Sequence, residues 1–535
     1  MSLYDRIIMT IESILKFINR HYKPAVCLFF VSMLILGVCI AGDYGPGWDN
    51  FAHRKVAIIT MSYIEKGNRF LFSRYNRYTF GSFFQLGLLM IERAMDIDVD
   101  SDHGFRKLFA MRSFATFLLF YLSAIAFYFL IFDRFRNWKI AVLGALFYFL
   151  SPRIFGHAFV NPKDIPFLSF FTISMFTLAG YLGNKSIFWA LFHAITSALL
   201  VATRITGIII PGLTILFIMI DIIANKAERK KLFMIMCGLL LYMLILIPCV
   251  VILWPVLWDG PVYHFIEALK RVSGFEKDTP TLYMGKLIVP SRTFLWHYPV
   301  VWMAITIPIS YLVFFFIGIV YKARDMFFNR GVCYNARRKD VIIYIWFFAP
   351  LIAAVFTKAN MYNDWRHLLF IYPAFLMFSI SGLAGLFSCL KEKRYYKIAI
   401  VLLISVNLFQ TAGFMLRNHP YQYIYFNELI GGAKGAKDRF EMDFYGLSYR
   451  EGFEYVAKAN PNGPLVVCIS TMTGRWNGYY MLNALDRKRI IVKFNPEGAD
   501  YYIGNYEAYI GEYPYGDKEF TVNIDGAEIL SVRKI

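Results

Sequence analysis

The chain alternates long apolar runs with short polar joints. Runs at 24–42, 108–132, 139–150, 165–182, 187–202, 207–223, 232–257, 299–321, 341–356, 366–390 and 397–416 carry few charges. An α-helix needs about 20 apolar residues to cross hydrocarbon, so the pattern predicts a polytopic α-helical membrane protein with about eleven spans, the shortest runs being the marginal ones. Residues 1–23 lead into the first run with Arg6, Lys16, Arg20 and Lys23. That lead is long and the run after it exceeds a signal-peptide core, so it reads as an anchor with a cytoplasmic N-terminus.

Two regions break the rhythm. Residues 43–107 form the first large polar loop, which includes a short aromatic-rich run from Phe80 to Met90 suited to the membrane interface. From 417 to 535 the composition shifts, and a small C-terminal soluble α/β domain is expected behind a membrane domain spanning 24–416. In it, 464–470 and 488–494 read as strands, 475–485 as a helix, and the segment from Phe520 as a hairpin turning at Asp525-Gly526.

Composition agrees with the membrane reading. The 535 residues are 58% hydrophobic and 17% charged, where a soluble domain has about 45–50% and about 25%. Mean hydropathy is +0.48. The net charge of +19 would suggest nucleic acid in a soluble protein. Here the positive-inside bias accounts for it, and no nucleic-acid partner is expected. If the runs alternate across the bilayer, the densely basic connectors 133–138, 183–186, 224–231, 322–340 and 391–396 all fall on one side, the cytoplasmic one. The first loop, 151–164, the Arg204 turn, 258–298, 357–365 and the C-terminal domain then share the extracytoplasmic face of a multi-pass protein of the plasma (inner) membrane. The seven cysteines show no metal-type spacing, and most sit in apolar runs, where a thiol is a small hydrophobe.

Candidate chemistry gathers on that face. Residues 151–167 hold Arg153, His157, Asn161, Lys163 and Asp164, interrupted by Pro152, Pro162 and Pro166, so a turn or broken helix is expected rather than a continuous one. Ionisable groups beside hydrocarbon are costly, and they mark a function unless they only snorkel toward headgroups. Asp49 and His53 follow the first membrane exit at i,i+4 spacing, with Asp49 also suited to cap a helix. Arg74 and Arg77 lie further along the same loop, and Arg204 stands alone between two spans. Asn363-Asp364-Trp365-Arg366-His367 enters a late span, where a simple interfacial salt bridge is the alternative to a functional role. Gly431–Lys437 is glycine-rich but lacks phosphate-loop spacing.

Three motifs, taken with an acidic residue after the first span and a second acidic turn between later spans, resemble the GT-C glycosyltransferases. They are Pro152-Arg153 through Asn161-Pro162-Lys163-Asp164, His419-Pro420-Tyr421 through Tyr425-Phe426-Asn427, and Phe440-Glu441-Met442-Asp443-Phe444-Tyr445-Gly446. The nearest branch is that of the protein O-mannosyltransferases and the lipid A aminoarabinose transferase (glycosyltransferase family 39-like). The likeness covers most of 24–455, but the first-loop acid stands as Trp48-Asp49-Asn50 rather than as a paired Asp-Glu. The resemblance implies transfer of a sugar from a polyprenyl-phosphate donor to a lipid, glycan or protein acceptor. A departing lipid phosphate needs cations, for which Arg74, Arg77, Arg153, Lys163 and Arg204 are candidates, and an acceptor hydroxyl needs a base. Asp49 is the candidate base, assisted by Asp164 and His53. His157, Asn161, Asp364, Arg366 and His367 are further site candidates. No cofactor is certain, and a divalent metal stays open as an alternative that ligand spacing does not support. The rival class is a transporter or flippase of lipid-linked substrates, for which inverted repeats and helices broken at the bilayer midplane would be expected. A non-catalytic scaffold presenting the C-terminal domain is a third.

Overall fold

The structure is a computed structural model that describes residues 22–73, 81–99, 101–225, 229–273, 278, 280–328, 334–390 and 393–535. Among them, eight helices are long and apolar enough to cross a membrane: Tyr22–Ile40, Gly104–Phe135, Asp164–Asn184, Ile205–Ile223, Leu232–Leu253, Arg337–Phe356, Arg366–Cys389 and Arg394–Arg417. Trp138–Phe149 and Pro152–Val160 make a ninth if taken as one span, bent by 63°. The expected count of eleven is therefore not met by length and composition. Ile187–Thr203 is apolar but shorter, and the run at 299–321 is divided into Tyr298–Thr306 and Ile309–Phe328 by Ile307-Pro308.

The prolines of 151–167 act as the sequence predicts. Pro152 occupies the first turn of the nine-residue Pro152–Val160 helix, where its missing N–H is no loss. Asn161-Pro162-Lys163 then interrupts the chain before Asp164–Asn184 begins. The first loop contains Trp48–Lys66 and Phe83–Ala94, two helices packed together. The aromatic run from Phe80 is thus largely helical, with Gln85, Leu86, Leu88, Leu89 and Glu92 buried.

A hairpin of β1 (Thr281–Tyr283) and β2 (Lys286–Ile288) sits between the spans. The C-terminal region carries a five-stranded mixed sheet made of β3 (Leu465–Ile469), β4 (Ile490–Lys493), β5 (Tyr501–Asn505), β6 (Asp517–Ile524) and β7 (Ala527–Lys534), in the order β4-β3-β5-β7-β6. β3 runs parallel to β4 and β5, and β7 is antiparallel to β5 and β6. The β6–β7 hairpin turns at Asp525-Gly526, both at positive φ, as the two-residue turn requires. The helix expected at 475–485 is instead three short pieces, Thr473–Asn477, Tyr479–Met481 and Ala484–Arg489, separated at Gly478 and at Asn483, whose side chain caps the last piece.

The sheet region is fastened to the first loop and to the segment after the last span. Asn477 donates to the carbonyls of Pro46 and Tyr445, each at 2.8 Å. Trp476 stacks on Phe51 with ring centroids 3.8 Å apart. Asp443 accepts from the Tyr423 hydroxyl, from the backbone N–H groups of Gly446, Leu447 and Ser448 at 2.9–3.1 Å, from the Ser448 hydroxyl at 2.5 Å and from Asn505 at 3.1 Å. That carboxylate ties the turn after the last span to β5.

Candidate active site

The site forms where helix ends meet. Gly47 precedes Trp48–Lys66, and a Cβ there would lie 2.2 Å from the Val160 carbonyl, so only glycine lets this helix start press on the end of Pro152–Val160. Asn50 then donates to the same carbonyl at 3.2 Å and accepts from Arg112 at 3.4 Å. Arg112 continues to Gln85 at 2.5 Å, and Gln85 to the Pro162 carbonyl at 2.7 Å. The residue that departs from the acidic pair is thus part of the frame that fixes the loop.

Asp49 does not cap its helix; Gly47 holds that position without a side-chain bond. The Asp49 carboxylate, 4% exposed, instead accepts from Arg366 at 2.6 Å. Burial alone would raise its proton affinity, but the fields of Arg366, Lys163 and His53 outweigh burial and hold the carboxyl well below the usual carboxylate range. Lys163 is partly buried beside this pair. Desolvation pushes its ammonium down to about 8, against the opposing pull of Asp49 and Asp164. Asp164 accepts from Arg204 at 2.8 Å and from Asn161 at 3.0 Å. Arg204 therefore does not simply snorkel. His367 follows Arg366 and is half-buried. The three cations Lys163, Arg204 and Arg366 face the two carboxylates Asp49 and Asp164, leaving one positive charge in surplus when the histidines are neutral.

Asn161 links this cluster to a second one. It contacts His157 at 3.3 Å, and His157 approaches the Asp364 carboxylate at 3.3 Å. Arg153 donates to Asp364 at 2.9 Å and to the Tyr425 carbonyl at 3.1 Å, while its guanidinium lies over Trp302 and Phe426. That commitment makes Arg153 chiefly a partner of Asp364 and of the Tyr425 backbone. Asn363 and Asp364 both adopt positive φ, 51° and 65°. Two successive non-glycine residues in the left-handed region are strained, and such strain persists where the surroundings hold a functional geometry. The salt bridge expected within 363–367 is not formed; Asp364 and Arg366 turn to partners on different helices.

Asp49, His53, Arg153, His157, Asn161, Lys163, Asp164, Arg204, Asp364, Arg366 and His367 thus belong to two adjoining clusters. Arg74 and Arg77 lie outside the described residues. Sequence reasoning does not single out Tyr445, whose hydroxyl meets His157 Nδ1 at 2.9 Å. Its place in the quoted 440–446 motif was the available signal. Among the described residues, no group of three or more His, Cys, Asp or Glu is arranged to hold a metal ion.

An apolar groove of about 330 Å³ has Val201, Ile208, Pro211, Met243, Val250 and Phe265 among its walls. Val201 lies three residues before Arg204 in the chain and Ile208 four after.

No protein-family model matches the chain, and no curated protein does. Solved structures similar to it include ArnT from Cupriavidus metallidurans in the apo state, at 12% identity and a TM-score of 0.45, covering 96% of this chain and 98% of that one. The same protein bound to undecaprenyl phosphate gives 12% and 0.47, covering 95% and 98%. The arabinofuranosyltransferase AftD from Mycobacteria gives 12% and 0.40, covering 94% of this chain and 39% of that one. At this identity and these TM-scores, the functional reading below rests on the side chains.

Proposed function

We propose that the protein is an integral-membrane glycosyltransferase that moves a sugar from a polyprenyl-phosphate donor to an acceptor hydroxyl at the extracytoplasmic face of the inner membrane. The observation that carries this reading is the largely enclosed cluster of Asp49, Lys163, Asp164, Arg204 and Arg366, with one positive charge in surplus, together with an apolar groove whose walls include Val201 and Ile208, on either side of Arg204 in the chain. A lipid phosphate needs both features at once, cations for its charge and hydrocarbon for its tail. A soluble nucleotide donor would need only the first.

In this mechanism Lys163 and Arg204 hold the donor phosphate, with Arg74 and Arg77 as further candidates from the first loop. The acceptor oxygen bonds to the sugar carbon as the carbon–oxygen bond to phosphate breaks. The acceptor proton passes to Asp49, and the electron pair leaves with the polyprenyl phosphate. A carboxylate held as tightly as Asp49 is a weak base. An anionic phosphate arriving beside Lys163 and Arg204 offsets their field and raises the proton affinity of Asp49 when the donor is in place. Asp164 and Asn161 orient Arg204 and the loop. The C-terminal region at 417–535 braces the helix start that carries Asp49, through Asn477 and Trp476.

The placement of charge at helix ends, rather than at helix midpoints, favours transfer over transport. The test is reconstitution of the purified protein in liposomes with a polyprenyl-phosphate sugar and an envelope lipid and glycan extract. Transfer releases free polyprenyl phosphate and labels an acceptor. Movement of intact donor across the bilayer without bond cleavage would replace this reading with the flippase one.

A further inference from the structure

The Gly104–Phe135 helix joins two charged regions. At its first turns Arg112 supports the candidate active site. Arg134, 22 residues later, lies roughly 33 Å away along the axis, about the thickness of a bilayer core. At that far end each of three carboxylates carries two cations. Asp133 pairs with Arg136 at 2.8 Å and with Lys339. Asp221 pairs with Arg338 at 2.6 Å and with Lys185 at 2.8 Å. Asp340 pairs with Arg134 at 3.0 Å and with Lys322 at 3.1 Å. In these bridges six cations face three carboxylates, and Asp325 adds a fourth carboxylate in the field of Lys322, so positive charge remains in surplus among them.

A cavity of about 420 Å³ opens in the middle of this charge. Phe129, Phe132, Phe176 and Trp189 are among its walls, and Arg136, Arg338 and Lys339 stand in its lining with Asp133. Gly183 also lines it, and a Cβ on Gly183 would meet nothing within 4 Å. An adjoining cleft that shares Arg338 and Lys339 holds only about 40 Å³ and is too narrow for a hydrocarbon chain. The larger cavity therefore combines a cationic rim with aromatic walls, at the bundle end opposite the candidate active site.

We propose that this end binds an anionic phospholipid, with its phosphate among Arg136, Arg338 and Lys339 and the start of an acyl chain against Phe129, Phe132, Phe176 and Trp189. Charge complementarity and the aromatic walls together choose the occupant. A zwitterionic lipid brings its own cation and gains less from the surplus, and a free phosphate leaves the aromatic walls uncovered. The site is separate from the donor site above and stands or falls independently of it.

The test uses the full-length protein in detergent, incubated with dioleoylphosphatidylglycerol, dioleoylphosphatidylcholine or inorganic phosphate, with bound lipid read by native mass spectrometry. Phosphatidylglycerol is expected to be retained well above phosphatidylcholine and to resist displacement by phosphate. The double variant Arg136→Gln/Lys339→Gln should weaken its retention roughly 10- to 30-fold, from the loss of two cations near a membrane surface. Gly183→Phe keeps every charge and fills the mouth, and it should weaken retention as well, which covers the case in which the charge variant does not fold. Equal retention of the two lipids, displacement of phosphatidylglycerol by phosphate alone, or wild-type retention by Gly183→Phe overturns the proposal.

Discussion

Asp49 and Asp443 are both enclosed carboxylates, 4% and 0% exposed, yet their surroundings set them to opposite tasks. Asp49 faces cations: Arg366 in contact, and Lys163 within its field. Asp443 faces neutral donors, three backbone N–H groups, two hydroxyls and an amide. Burial pushes the Asp443 carboxyl up, and the bonds from Ser448 and Tyr423 only partly restore it. A carboxylate held by cations has its charge available to chemistry once an incoming anion offsets them. One held by donors drawn from three chain segments is a fastener. Both lie in stretches that read alike in sequence, an acid among aromatics.

Substitution by asparagine separates the two most sharply. Asn at position 49 still accepts from Arg366 but cannot take a proton, so Asp49→Asn should lower turnover roughly 10²–10⁴-fold while donor binding survives. Stability should fall less than with Asp49→Ala. Near wild-type turnover by Asp49→Asn would put the base elsewhere, with Asp164 the next residue to test.

Asp443→Asn should do the reverse. Its amide N–H groups would face the donors that now converge on the carboxylate, leaving several buried polar groups unmet. The expected loss is about 2–4 kcal/mol of stability, read by thermal or denaturant unfolding, with turnover per folded molecule little changed. A large fall in turnover at unchanged stability would move Asp443 into the catalytic machinery.

The phosphate-holding residues come next in size. Lys163→Ala and Arg204→Ala should each raise the donor KM by the equivalent of about 1–3 kcal/mol, with a smaller effect on the acceptor. Arg153→Ala is expected to act mainly through stability, because its partners are Asp364 and Tyr425. Equal effects of all three on donor KM would show that the two clusters work as one.

Much of this arrangement was legible in the chain. The apolar runs gave the helices, the three prolines gave the break at 151–167, and the alternation of basic connectors grouped Asp49, Lys163, Asp164 and Arg204 before any coordinates. What the sequence could not supply was pairing across distance. Arg366 meets Asp49 from 317 positions away, and Arg153 meets Asp364 from 211. A simple interfacial salt bridge was the alternative reading of 363–367, and with left-handed backbone at 363–364 Asp364 and Arg366 take partners on two different helices. Capping propensity favoured Asp49 as an N-cap, and a salt bridge in a buried site outweighs a cap. The central strand β5 was missed because Tyr501–Asn505 is short and ends in Gly504-Asn505, while its burial comes from pairing with strands on both sides. Gly478 and Asn483 broke a helix that hydrophobic spacing alone had extended.

The smallest expected effect bears on how the Asp49 cluster holds its ligand. The Lys163 ammonium is pushed down to about 8 by desolvation, so its charge is present at neutral pH and is lost as pH rises through that value. If that charge holds the donor phosphate, kcat/KM for the donor, which reports the free enzyme, should fall by roughly fivefold between pH 8 and 9. A bound phosphate favours the charged ammonium, so the limb seen in kcat should lie at higher pH than the limb in kcat/KM. Lys163→Arg keeps a charge at every accessible pH and should flatten the alkaline limb, though its fork differs in shape from an ammonium. Asp49, held below the usual carboxylate range, contributes no limb of its own between about pH 5 and 9 in the free enzyme. The profile of kcat/KM should therefore be one-sided, with a plateau on the acid side and a fall on the alkaline side. An alkaline limb that persists unchanged in Lys163→Arg would assign the titration to another group and remove Lys163 from the phosphate site.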